Sequence, residues 1–397
     1  MKNDMKKLQK EYLRLLGEFV SFKTVSTDTS FRKDIDKAVS WLSNLFKKNG
    51  FKITLIEGRS HNPIVIAKYT ADQKLKTVLV YGHYDVQPAD KEDGWKSNPF
   101  TLIKRKNKYI ARGVIDNKGQ ILAHMAAVFN AIKNGQLAYN VTFIIEGNEE
   151  SGNPSLSRII KKDKKLLDCD LVIISDGEMK GMNPTLDVSF RGGGNMRVVY
   201  ETHSNDRHSG LFGGLVPNPA LELSRMLAKI RTGNEITFGG LKQTIEISGL
   251  TSGYTGSGFK NIIPGKAEAR LNVRTVHPQI SENVLKEIEE LIRKETPSFV
   301  KLLIESEVHG DPIFLDTEHG EIDSIKKLLY QIHKKEIIHQ NVGGSIPVVA
   351  DFKSILGKPM ALVPLSNEDC NMHGVDENFS EYHMEKALEF TSALWIK

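Results

Sequence analysis

The sequence predicts an α/β protein, with a mainly parallel sheet covered by helices on both faces and a smaller α+β domain inserted into it. Three observations carry this reading. Over the first 190 residues or so, stretches with helical spacing alternate with short, nearly all-apolar runs, the pattern of strands covered on both sides. After about Arg191 the rhythm changes to alternating strands and longer helices, and from about Pro312 the first rhythm resumes. The expected division is 1–192 and 312–397 for the larger domain and 193–311 for the insert, in a chain of 397 residues.

Leu8, Tyr12, Leu15, Leu16 and Phe19 fall on one helical face, and Ile35, Ala38, Val39, Leu42, Leu45 and Phe46 on another that stops at Gly50. The β-branched runs 51–56, 63–67 and 77–81 read as strands, as do 141–145 and 171–174, with helical stretches at 121–132 and about 156–165 between them. In the insert the order is strand 195–202, helix 218–231, strands 242–248 and 267–275, helix 282–294 and strand 299–305. Strand–helix–strand–strand–helix–strand is a ferredoxin-like layout. The triple glycine Gly192-Gly193-Gly194 ahead of it reads as a hinge. Helices at 321–333 and 382–395 close the larger domain.

Composition excludes several classes. At 40% hydrophobic and 26% charged, the chain has enough apolar material for a large core. No apolar run approaches the roughly 18 residues of a membrane span. The opening residues 1–7 lead into an amphipathic pattern rather than a signal segment. Two cysteines, Cys169 and Cys370, cannot build a disulfide scaffold and suit a reducing, cytoplasmic setting. The net charge of +5 is spread out, without the dense basic block that nucleic acid binding calls for. No Gly-x-Ser-x-Gly or phosphate-loop motif occurs, and Gly253–Gly258 lacks a strand-to-helix context and reads as a loop.

The chemistry gathers at the carboxyl ends of the predicted strands, where open α/β sheets bind ligands. Strand 77–81 runs into Gly82-His83-Tyr84-Asp85, strand 141–145 into Glu146-Gly147-Asn148-Glu149-Glu150, and strand 171–174 into Ser175-Asp176-Gly177. A further acidic loop ends in Asp116, and His373 precedes the last helix. Any of these alone has an ordinary reading: a rim histidine, an exposed acidic turn, a helix cap. Together they would bury several carboxylates side by side, which like charges oppose unless cations are present. Two imidazoles with three carboxylates suit zinc or a similar first-row ion better than calcium.

The chain resembles the co-catalytic zinc metallopeptidases that include carnosinase-like cytosolic dipeptidases, aminoacylases, glutamate carboxypeptidases and succinyl-diaminopimelate desuccinylase. The resemblance rests on Gly82-His83-Tyr84-Asp85-Val86-Gln87-Pro88, Arg112-Gly113-Val114-Ile115-Asp116-Asn117-Lys118-Gly119 and Glu149-Glu150-Ser151-Gly152. Ser175-Asp176-Gly177, Arg207-His208-Ser209-Gly210, Gly343-Gly344-Ser345-Ile346-Pro347 and His373 extend it in family order over nearly the whole chain.

The resemblance implies two divalent ions per subunit, zinc first with manganese or cobalt as alternatives. One is held by His83 and Asp176 and the other by Glu150 and His373, with Asp116 bridging and a cis peptide after it. Asp85 orients His83, and Glu149 is the base that moves the proton from an activated water to the leaving amine. The insert is then a lid and a homodimer surface, from which His208 reaches the other subunit's site and stabilises an oxyanion. Asn261, Arg274, His309, Gly344 and Ser345 match substrate contacts, Arg274 as a clamp for a terminal carboxylate. Aspartate at 176 favours a dipeptidase acting on small peptides. An N-acyl amino acid amidohydrolase is the alternative, and Asn261, where carnosinase-like members have threonine, is closer to the desuccinylase pattern.

Overall fold

The computed structural model describes residues 2–396 except 59, 154, 231–235 and 345–346. The chain forms two compact units, Met1–Val188 with Leu315–Gln340 and Asp351–Lys397, and Ser189–Phe314 with Asn341–Ala350.

The first unit is built on a six-stranded sheet in the order Lys52–Ile56, Ile64–Tyr69, Asn140–Glu146, Thr77–His83, Leu171–Ile174, Met360–Leu362. The last four are mutually parallel. Ile64–Tyr69 runs against both its neighbours, so the other five strands share one direction. The connection at residues 57–63 is too short for a parallel crossover and forces that reversal. On one face Val65, Ala67, Val78, Val80, Phe143 and Ile145 pack with apolar residues of the helices Lys2–Ser21, Arg32–Lys48, Lys118–Lys133 and Glu381–Trp395. Tyr81 points the other way, its ring 5.7 Å from that of Phe352.

The helix Lys118–Lys133 is buried almost all round, its apolar residues spread over every face and Lys118, Gln120 and His124 buried among them. Its first turn is tied to the N-terminal helix. Tyr12 donates its hydroxyl to Gly119 O at 3.0 Å, and the buried Lys118 Nζ donates to Phe19 O and Phe22 O at 3.1 and 2.8 Å.

In the second unit four antiparallel strands lie in the order Thr244–Ser252, Lys266–Thr275, Gly192–Glu201, Lys301–Gly310. Counted along the chain this is 2-3-1-4, the ferredoxin-like arrangement. The helices Pro219–Ile230 and Ser281–Glu295 cover one face, with Leu223, Met226, Leu227, Val284, Leu285, Ile288 and Ile292 packed with Met196, Val198, Tyr200, Ala269 and Val273.

The structure departs from the sequence reading in four places. The triple glycine is no hinge: Gly192, Gly193 and Gly194 are buried inside a strand. A Cβ at Gly193 would lie 2.0 Å from Val273 O, and one at Gly194 2.2 Å from Glu307 O, so the glycines admit the backbones of both flanking strands. The outer strands of the insert also run past 248 and 305, to Ser252 and Gly310. The helix expected over 156–165 is Leu156–Lys162, followed by a 3-10 turn at Lys164–Leu167. Finally, the units part at 188/189 and 314/315, and residues 341–350 fall in the smaller one. The strand Ile338–Val342 shares a sheet with Thr185–Phe190.

Candidate metal centre

Because the central strands are parallel, their carboxyl ends lie on one rim of the sheet. His83 ends the strand Thr77–His83, Asp176 follows Leu171–Ile174, and Glu149 and Glu150 follow Asn140–Glu146. His83 Nε2 lies 3.1 Å from Asp116 Oδ1 and 3.6 Å from Asp176 Oδ2. His373 Nε2 lies 2.8 Å from Asp116 Oδ2 and 3.2 Å from Glu150 Oε2. Two groups with metal-ligand spacing result, His83–Asp116–Asp176 and Asp116–Glu150–His373, and they share Asp116 through its two different oxygens. The two groups together contain all five expected ligands.

The surroundings fix these side chains. Asp85 is fully buried, with Oδ1 3.3 Å from His83 Nδ1. The same oxygen accepts from Glu149 N at 3.2 Å, and Oδ2 accepts from Glu150 N at 3.1 Å. One carboxylate thus orients the histidine and the loop bearing both glutamates. Gln87 Nε2 donates to Glu150 Oε2 at 2.7 Å. Asp116 precedes a cis peptide to Asn117, whose Nδ2 donates to Ser175 O at 2.6 Å and whose Oδ1 accepts from His83 N at 3.4 Å.

Electrostatics mark the cluster as short of positive charge. Asp85, Asp116, Glu149, Glu150 and Asp176 face the imidazoles of His83 and His373. Burial, helped by the neighbouring carboxylates, pushes Glu149 up to about 8 and Asp176 up to about 7. Hydrogen bonds to Asp116 and Glu150 lift His373 to about 10. Burial works against the charged form at both Asp116 and His83. The two imidazoles nevertheless hold Asp116 below the usual carboxylate range, and Asp116 and Asp85 hold His83 above the usual histidine range. Oxygen and imidazole donors in two triads with a shared carboxylate fit a pair of divalent cations, which would relieve that repulsion.

The substrate-contact candidates lie in the second unit. His208 is exposed, its Nδ1 accepting from Gly210 N at 3.2 Å, and it neighbours Asn261, whose carbonyl accepts from Ser209 N at 3.1 Å. Arg274 and His309 join a polar row across the sheet. Arg274 Nε donates to Asn272 Oδ1 at 3.1 Å, Asn272 Nδ2 donates to Asn195 Oδ1 at 2.9 Å, and Asn195 Nδ2 lies 3.3 Å from His309 Nε2. Gly344 is exposed, and Ser345 lies outside the described residues.

A model of peptidase family M20/M25/M40 matches residues 79–397. The chain belongs to this family. Among curated relatives, the Cys-Gly metallodipeptidase of Schizosaccharomyces pombe is 28% identical over 449 residues, covering 96% of this chain and 94% of its own. The human Beta-Ala-His dipeptidase is 24% identical, covering 98% and 90%. Among solved structures, the M20 family metallo-carboxypeptidase Sso-CP2 from Sulfolobus solfataricus superimposes with a TM-score of 0.80 at 25% identity, covering 97% of this chain and 98% of that one.

Sequence reasoning missed Glu377, which is fully buried and gathers four donors. Its Oε2 accepts from Arg112 Nη1 at 2.7 Å and Gly113 N at 2.9 Å, and its Oε1 from Ile115 N at 3.0 Å and Asp116 N at 3.3 Å. Glu377 lies four positions after His373, between Asp376 and Asn378, in a polar stretch that reads as an ordinary exposed turn.

Proposed function

We propose that the chain is a dinuclear-metal hydrolase that cleaves the peptide bond of dipeptides or short peptides. One observation carries the reading: two donor triads share Asp116, and the carboxyl of Glu149, beside them, belongs to neither. Membership of a peptidase family supplies the reaction class, hydrolysis of an amide C–N bond. His83 and Asp176 would hold one cation and Glu150 and His373 the other, with Asp116 between them. Zinc is the first candidate for a mixed imidazole and carboxylate set.

When bound, such a pair polarises the scissile carbonyl and acidifies a water. Glu149 takes the proton of that water on its carboxylate and delivers it to the departing amine nitrogen. Asp85 holds the His83 ring through Nδ1 and keeps the Glu149–Glu150 backbone in place, so base and ligand stay in register. His208, acting across a homodimer formed by the second unit, would stabilise the oxyanion. Asn261, Arg274, His309 and Gly344 would hold the peptide.

The dipeptide assignment is supported by relatives whose names state Cys-Gly and Beta-Ala-His dipeptidase activity. The test is a cobalt- or zinc-supplemented screen of unblocked dipeptides against N-acetyl and N-succinyl amino acids. Turnover of dipeptides is expected, and hydrolysis of the acylated set alone would replace the dipeptidase assignment with a deacylase.

A further inference from the structure

We infer that Arg112, oriented by Glu377, is the positioning residue that builds the half-exposed side of the metal pair. This deepens the dinuclear reading above and rests on it.

The five ligands are held in unequal ways. His83 and Asp176 sit at the ends of central strands and are almost completely buried, their side chains 0% and 10% exposed. His373 belongs to neither strand nor helix, and its side chain is 53% exposed. Its loop bends through positive φ at Asn371, His373 and Asp376, a conformation that non-glycine residues adopt only when their surroundings hold it. Within the turn Gly374 N donates to Asn371 O at 2.8 Å and Asn371 Nδ2 to Val375 O at 3.2 Å, and the side chain that ties its carbonyls to the rest of the unit is Arg112. Arg112 Nη2 donates to His373 O at 3.1 Å, to Gly374 O at 3.3 Å and to Pro88 O at 3.4 Å.

The other arm of the same guanidinium is fixed. Arg112 Nη1 meets Glu377 Oε2 at 2.7 Å, both side chains are buried, and the cation lies 5.3 Å from the centre of the Trp95 ring. Glu377 in turn receives the backbone N–H groups of Gly113, Ile115 and Asp116. One buried ion pair therefore grips two separate peptides, one bearing the shared Asp116 and the other bearing His373. On the His83–Asp176 side Asn117 holds the backbones of His83 and Ser175, the His83 ring lies against Asp85, which also takes Glu150 N of the exposed side, and no hydrogen bond of Arg112 reaches His83 or Asp176.

The planar fork is what this task requires, since its two arms point at partners in different directions. Lysine at 112 would keep a positive charge against Glu377 and give up the carbonyl bonds of the second arm. Arg112→Lys thus separates charge balance from positioning.

The experiment strips the purified protein of metal and titrates it with cobalt(II), reading stoichiometry by equilibrium dialysis and coordination by visible absorption. Wild type is expected to take two ions per chain. Arg112→Lys is expected to take the first with unchanged affinity and the second about 10–100-fold more weakly, the usual cost of losing a supporting residue. Its turnover should recover as cobalt is raised. Equal binding of both ions in wild type and variant overturns the inference, and so does equal weakening of both. Fewer than two ions in wild type overturns the dinuclear reading instead, whatever Arg112 does. Should Arg112→Lys not fold, Arg112→Gln keeps Glu377 and its three backbone donors, gives up the second arm of the fork, and must show the same split.

Discussion

Asp85→Asn changes one oxygen to an amide nitrogen at a fully buried side chain, and its cost can be worked from two hydrogen bonds and one contact with a ligand histidine. The carboxylate accepts from Glu149 N on Oδ1 and from Glu150 N on Oδ2, and Oδ1 lies 3.3 Å from His83 Nδ1, which also lies 3.1 Å from the Asp85 carbonyl oxygen. An asparagine has one acceptor oxygen. Whichever way its amide is turned, an NH2 group faces at least one of these buried donors. Leaving a buried donor unsatisfied costs about 1–3 kcal/mol. Loss of a carboxylate partner to a ligand histidine costs about 10–100-fold in metal affinity or activity. The variant should therefore fold, melt a few degrees lower, and lose affinity at the His83 side or turnover by one to two orders of magnitude. Cobalt titration and dipeptide turnover on the same preparation measure both. Unchanged cobalt affinity together with unchanged turnover would refute the orienting role of Asp85.

Glu149→Gln should lower turnover by about 10²–10⁴-fold with both cobalt ions still bound, because the lost group moves protons and belongs to neither ligand triad; retained activity removes it as the base. Gly193→Ala should destabilise the second unit by about 2 kcal/mol or more, since the added methyl meets Val273 O at 2.0 Å and φ is +140°. A urea midpoint equal to that of wild type would contradict the close-approach reading. His333 is held neutral by burial, its pKa pushed down to about 4 from 6.5. The unfolded chain binds the proton first, so this residue's contribution to stability is lost as pH falls from 6.5 towards 4. His333→Leu should flatten the urea-stability profile across that window, and parallel profiles for the two proteins would count against it.

The ligands that follow strands were legible in the sequence because apolar strand runs end directly in His83 and Asp176, and a parallel sheet puts such ends on one rim. Asp116 and His373 were legible through the resemblance and not through any periodicity. The Arg112–Glu377 pair was not legible, since it joins residues 265 positions apart and no local pattern records which buried arginine meets which buried glutamate. The triple glycine was misread for a related reason. Its sequence admits both freedom and close approach, and only the strands packed on either side decide between them. The short connection at 57–63 shows the opposite case, where spacing alone settles the direction of a strand.

The tie between Lys118 and the first helix bears on how the protein can be dissected. The family match begins at residue 79, yet the ammonium two residues past the shared aspartate finds its acceptors at Phe19 and Phe22. A fragment trimmed to the matching region would lose both acceptors of that amine and the helix that covers it, beside the loop it steadies. The opening fifty residues are therefore part of the catalytic scaffold, and a minimal enzyme has to keep them.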